Sequence, residues 1–149
     1  RSIIADPRRS EMKDVVNTKI KFREPFRPFA PSVQAEETSR FFNVPGGDSF
    51  HPGRFMLAVL PVAEDQQSVI PAVSHLGTGR LQMVYEDTNP RYHGLIRRFG
   101  QATGVPVVLN TSFNLRGEPI VTTPENALNT FSNSGLDLLV LDNVVVRKP

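Results

Sequence analysis

No cysteine occurs anywhere in this chain of 149 residues, which excludes a disulfide framework, a zinc–thiolate centre and a thiol nucleophile together. That suits a reducing compartment, and a cytoplasmic location is expected. Tryptophan is absent too, and tyrosine occurs only twice. Such a composition speaks against a stacking platform for single-stranded nucleic acid. No apolar run approaches the ~18 residues needed to span a bilayer, and the N-terminus carries no signal-peptide pattern, so no membrane association is expected. The three histidines, His51, His75 and His93, form no pair one helical turn apart, and no carboxylates cluster for acid–base work. No metal site made by the chain itself is therefore expected.

What is present belongs to an ordinary globular domain: 39% apolar and 21% charged residues, enough for one core without staples. The opening Arg1-Ser2-Ile3-Ile4 has no initiator Met and reads as the middle of something, so the chain is expected to be a fragment of a longer protein. Net charge is only +2, but residues 1–27 alone hold +4. That asymmetry suits a local anion site as well as it suits a solvated basic face.

Alternation of strands and helices in the second half predicts an α/β class with an open sheet and flanking helices. Ser10 can cap a helix over about 11–20, and a second short helix is expected near 35–42. Strands are predicted near 54–62, 69–76, 81–85 and 105–109, and again in "LDLLVLD" and "VVVR". Asn89-Pro90 and Thr123-Pro124 each give a cap followed by proline at the first helical position. These predict helices ending at Gly104 and Gly135.

Three stretches carry candidate chemistry. In "KFREPFR", prolines favour an extended path, and period two would put Lys21, Arg23 and Arg27 on one face, opposite Phe22 and Phe26. Clustered cations of this kind suit phosphate, although a charged edge strand that deters aggregation is the plainer reading of these residues alone. In "GTGR", residues 77–79 are expected to form a tight turn before Arg80, whose glycines could let backbone N–H groups approach an anion. In "VVLNTSFN", a buried strand runs straight into Asn110, Thr111, Ser112 and Asn114. A polar run at the carboxyl end of a strand is where open α/β sheets place ligands, yet it is equally what an ordinary polar turn looks like. Ser112 has no evident His–Asp relay, so it reads as a holder and not a nucleophile.

Several separated segments occur together in order: "RSIIADPR", "KFREPFRPFAPSV", "IPAVSH…GTGRLQ", "NPRYHGLI", "TGVPVVLNTSFNLRGEPIVTTPENAL" and "GLDLLVLDN". With them the chain resembles the C-terminal domain of nodulation- and antibiotic-type O-carbamoyltransferases, over nearly its whole length. The resemblance implies a YrdC-like open, twisted, mixed α/β sheet. It also implies an N-terminal domain of the same polypeptide, actin- or sugar-kinase-like, which would hold any iron or other metal and select the acceptor.

The implied reaction forms carbamoyl adenylate and pyrophosphate from carbamoyl phosphate and ATP, with magnesium on the substrate. The partner domain then carbamoylates a hydroxyl on a sugar or natural product. By resemblance, the catalytic residues are Lys21, Arg27, Arg80 and Ser112. Nucleotide and carbamoyl phosphate would be held by these with Arg23, Thr78, Asn110, Thr111 and Asn114, and Arg116 is a further candidate. Where the family carries an acid after its histidine, as H-x-D-G-T, this chain has the shorter His75-Leu76-Gly77-Thr78. The alternative expectation is a YrdC-like nucleotide- or RNA-binding module without carbamoyl chemistry.

Overall fold

The apolar run that ends at Leu109 forms the strand its composition predicts. In the computed structural model, which describes residues 1–22, 24 and 26–148, this strand is β6, Val107–Ser112, with its first four residues buried. It lies inside a four-stranded sheet ordered β1-β6-β2-β5, where β1 is Ser2–Ala5, β2 is Ala30–Gln34 and β5 is Gln82–Val84. β6 runs antiparallel to both neighbours, and β2 runs parallel to β5, so the sheet is open and mixed.

Side chains alternate between its two faces. Ile3, Val33, Met83, Val107 and Leu109 join the larger core with Val16, Ile20, Phe41, Phe42 and Phe131. Val84 and Val108 meet Ile96 of α3, Pro90–Thr103, in a smaller one. Burying a side chain of this size contributes about 2–3 kcal/mol before the entropy of ordering is set against it.

Both proline-marked helices form. Asn89 Oδ1 accepts from the Tyr92 amide at 3.3 Å, and α3 stops at Gly104, whose φ of 77° is the left-handed closure. Thr123 Oγ1 accepts from the Asn126 amide at 3.2 Å to start α4, Pro124–Ser132. That helix ends before Gly135 because Asn133 folds back, its side chain donating to the Asn129 carbonyl at 3.0 Å. The first two helices are short and irregular. α1 covers Met12–Val16 and continues as a π-turn over Asn17–Lys21, and α2, Thr38–Phe41, follows a 3-10 turn at Ala35–Glu37.

Two strand predictions need correction. Residues 51–55 form a 3-10 turn closed by Met56 in a left-handed conformation (φ 56°), which leaves only β3, Val59–Pro61, of the predicted 54–62. Residues 69–76 are a series of turns: the Ile70 amide bonds back to Gln66 O, and the Val73 and Ser74 amides to Ile70 O. Pro71 offers no donor to a ladder there. The tight turn is Leu76-Gly77, both at positive φ, and Thr78–Arg80 is strand β4, paired with β3. β7 (Leu138–Leu141) and β8 (Val144–Arg147) close the chain as a hairpin. No helix among the described residues is long and apolar enough to cross a membrane.

The extended basic face predicted for residues 21–27 is also corrected. Lys21 ends the π-turn, Phe22 takes a left-handed conformation (φ 47°), and β2 begins only at Ala30. Burial of Ile20 against the core holds Lys21 in the helical segment and turns its side chain inward. Arg23 lies outside the described residues.

Candidate anion-binding site

Arg27 and Arg80 meet across a cleft of 310 Å³ that Pro28, Val59, His75, Thr78 and Gly79 complete. The elements explain the meeting. Arg27 sits just before β2, and Arg80 closes β4, which the Leu76-Gly77 turn folds back. Arg80 forms no salt bridge among the described residues, and Arg27 reaches Glu24 only at 4.0 Å on the surface. An exposed contact of that length neutralises little. Two guanidiniums facing one cleft, with no carboxylate lining it among the described residues, make a positive field suited to a phosphate or a mixed anhydride.

The turn itself is internally satisfied. Thr78 Oγ1 donates to the His75 carbonyl at 2.9 Å, and the Thr78 amide to the same oxygen at 3.0 Å. Gly79 serves packing, because a Cβ there would come within 2.9 Å of the Phe42 ring.

Lys21 stands apart from that cleft's lining. Its ammonium, in a residue only 6% exposed, donates to Ser112 O at 2.5 Å, Asn114 Oδ1 at 2.8 Å and Asn114 O at 3.1 Å. Ser112 Oγ lies 3.2 Å from it and donates to Asn114 Oδ1 at 2.7 Å. Asn114 Nδ2 then donates to Glu118 O at 2.8 Å, which fixes the loop after β6. Lys21, Ser112 and Asn114 therefore form one built corner that joins the π-turn to the end of the central strand.

Asn110 lies two residues back on the same face of β6, and Thr111 projects to the opposite face. Asn110 Nδ2 donates to Gln82 Oε1 at 2.8 Å and to Ser32 Oγ at 3.1 Å, while Ser32 Oγ donates to the same Gln82 oxygen at 2.5 Å. The Asn110 side-chain oxygen Oδ1, by contrast, is buried without a partner among the described residues. Arg116 reaches back to the Phe22 carbonyl at 2.9 Å from an exposed position. Among the described residues, no three His, Asp or Glu side chains converge on a point.

Residues 1–148 match the family described as Carbamoyltransferase C-terminus. The chain belongs to that family. It is 46% identical, over 99% of its own length, to Nodulation protein NolO of Bradyrhizobium diazoefficiens. It is 35% identical over 81% of its length to a 3'-hydroxymethylcephem-O-carbamoyltransferase of Amycolatopsis lactamdurans, and 43% identical over 99% to an uncharacterised Synechocystis protein. The chain spans only 22–27% of these relatives.

In this member of the carbamoyltransferase C-terminus family, two site neighbours carried no sequence signal strong enough to single them out. Ser32 is fully buried in β2, and Gln82 opens β5. Their cross-strand register, Ser32 opposite Gln82, is what lets both grip Asn110. A polar residue inside each apolar stretch, "APSV" and "LQMV", was the available hint.

Proposed function

We propose that this domain activates a carbamoyl group as its adenylate, for transfer to a hydroxyl by another part of a longer polypeptide. The observation that carries the reading is the pair Arg27 and Arg80 on one cleft, in a chain whose relatives include enzymes named as O-carbamoyltransferases. Water first cleaves carbamoyl phosphate to carbamate and inorganic phosphate. A carbamate oxygen then attacks the α-phosphorus of ATP, the bond to the β-phosphate oxygen breaks, and pyrophosphate leaves with its electron pair. No residue of the chain needs to be a nucleophile, so the domain's part is positioning and charge compensation.

Arg27 and Arg80 meet the phosphate oxygens, where planar guanidiniums offer paired donors. Ser112 and Asn114 orient the carbamoyl oxygen and the α-phosphate, Asn114 with the Nδ2 hydrogen that Glu118 O does not take. Asn110, whose Nδ2 hydrogens are held by Gln82 and Ser32, positions the strand end beside them, with Thr78 at the rim and Thr111 behind the strand. Lys21 acts through the corner it braces: its ammonium is already bonded to Ser112 and Asn114, so it fixes them and adds a buried positive charge. Magnesium enters on the ATP phosphates. Such chemistry places the domain in the cytoplasm, where ATP is supplied.

Calorimetry with Mg-ATP and with carbamoyl phosphate tests the reading, and a pyrophosphate-release assay follows in the longer polypeptide. Arg80→Ala and Arg27→Ala each weaken ligand binding by about tenfold or more, with the fold intact by circular dichroism. If the wild-type chain binds neither ligand in the presence of magnesium, the assignment fails. Binding of RNA that ATP does not displace would favour the nucleic-acid alternative instead.

A further inference from the structure

A second cavity, of 260 Å³, opens beside the edge strand β5, between the His51–Phe55 turn and the start of α3. It shares no lining residue with the Arg27–Arg80 cleft. Arg54 enters it half-buried, its guanidinium stacked over the Tyr85 ring with Cζ 3.7 Å from the centroid. This stacking fixes the cation's position. Arg54 forms no salt bridge among the described residues.

Gln82 lines the same cavity with a fixed orientation. Its Oε1 already accepts from Ser32 and Asn110, so its Nε2 must turn away from those two donors, and it has no partner among the described residues. Tyr92 also lines the cavity, and its buried hydroxyl lies near the Ser32 hydroxyl without meeting hydrogen-bond geometry among the described residues. Among the described residues no acidic side chain lines the cavity, and Phe55, Met83 and Val84 give it an apolar wall.

We propose that this cavity binds a small organic monocarboxylate, its carboxylate on Arg54 and Gln82 Nε2 and its apolar body against Phe55 and Met83. One guanidinium with neutral donors matches a single negative charge, whereas a phosphate dianion would be left half-compensated against an apolar wall. The inference does not depend on the carbamoyl chemistry, because Arg54 plays no part in it and Gln82 meets Asn110 through Oε1 while the carboxylate would meet its Nε2.

The test is titration of the chain with benzoate, inorganic phosphate and adenosine monophosphate, followed by calorimetry and by the amide signals of Gln82 in NMR spectra. Benzoate is expected to bind in the range of about 1 mM and to shift the Gln82 side-chain amide. Arg54→Gln weakens that binding about tenfold, and Arg80→Gln leaves it unchanged. Gln82→Glu keeps the two acceptor bonds to Ser32 and Asn110 but sets a negative charge where the donor stood, so it abolishes benzoate binding even if Arg54→Gln folds poorly. The proposal is overturned by absence of benzoate binding at about 10 mM. It is equally overturned by affinity that survives Gln82→Glu, or by phosphate or the nucleotide binding there more tightly than benzoate.

Discussion

The ammonium of Lys21 sits 2.8 Å from Asn114 Oδ1, joining the last turn of an irregular helix to the loop beyond the central strand. A lysine this deeply placed exchanges hydration for carbonyl oxygens, and the exchange holds only while the corner is complete. Lys21→Met keeps much of the side-chain volume but leaves the Ser112 and Asn114 carbonyls without that donor. It is expected to lower unfolding free energy by about 1–3 kcal/mol, read from urea midpoints at constant m-value. A midpoint equal to wild type would mean that water satisfies these oxygens, and the corner would not be structural.

Gly79 predicts a packing effect where a glycine-rich turn had suggested a backbone cradle. An added methyl group would lie 2.9 Å from Phe42 Cε1 and 3.3 Å from the Val73 carbonyl oxygen. Gly79→Ala therefore costs about 1–3 kcal/mol through overpacking. Phe42→Leu in the same chain relieves the ring clash, so the double variant is destabilised less than the sum of the two singles by about 0.5–3 kcal/mol. Strictly additive melting data on the two variants would contradict the contact.

The parts of the fold legible in the sequence were those written in adjacent residues. Asn89-Pro90 and Thr123-Pro124 announced α3 and α4, and the run through Leu109 announced β6, since caps and apolar runs are local signals. β1 was not legible: its four residues become a strand only through Ser112 to Leu109, more than a hundred positions away. Residues 69–76 misled for the converse reason, because Val69, Ile70 and Val73 are apolar to fill the core, and turns bury them as well as a strand would. At the site, residue types suggested cations and neutral donors as ingredients. Their distribution into an Arg27–Arg80 cleft, a Lys21 corner and an Asn110–Gln82 bridge depended on cross-strand register, which no single stretch encodes.

Thr123 offers a direct check on one local signal. Its hydroxyl accepts the Asn126 amide at the start of a nine-residue helix, too short to persist without its caps and its packing. Thr123→Ala should cost about 1 kcal/mol, and Thr123→Ser should restore most of it. Thermal melting of the three proteins distinguishes this from loss of the threonine methyl, which Thr123→Ser would not restore.

Tyr92 sets a limit on stability at high pH. Burial pushes its phenol up to about 12 from the ordinary 10.0, opposed in part by the nearby Ser32 hydroxyl. A raised folded-state value means that the unfolded chain ionises first. The contribution is therefore whole below pH 10.0 and is lost as pH rises toward about 12. A displacement of this size corresponds to about 2–3 kcal/mol of stability lost across that interval. Tyr92→Phe removes the ionisable group, so its denaturation midpoint should fall less steeply with pH there than that of wild type. Tyr85 is the only other tyrosine, so an ultraviolet titration of Tyr85→Phe follows Tyr92 alone. A phenolate appearing near pH 10.0 in that variant, with the protein still folded, would show that the hydroxyl is open to solvent and would remove the basis for the alkaline slope.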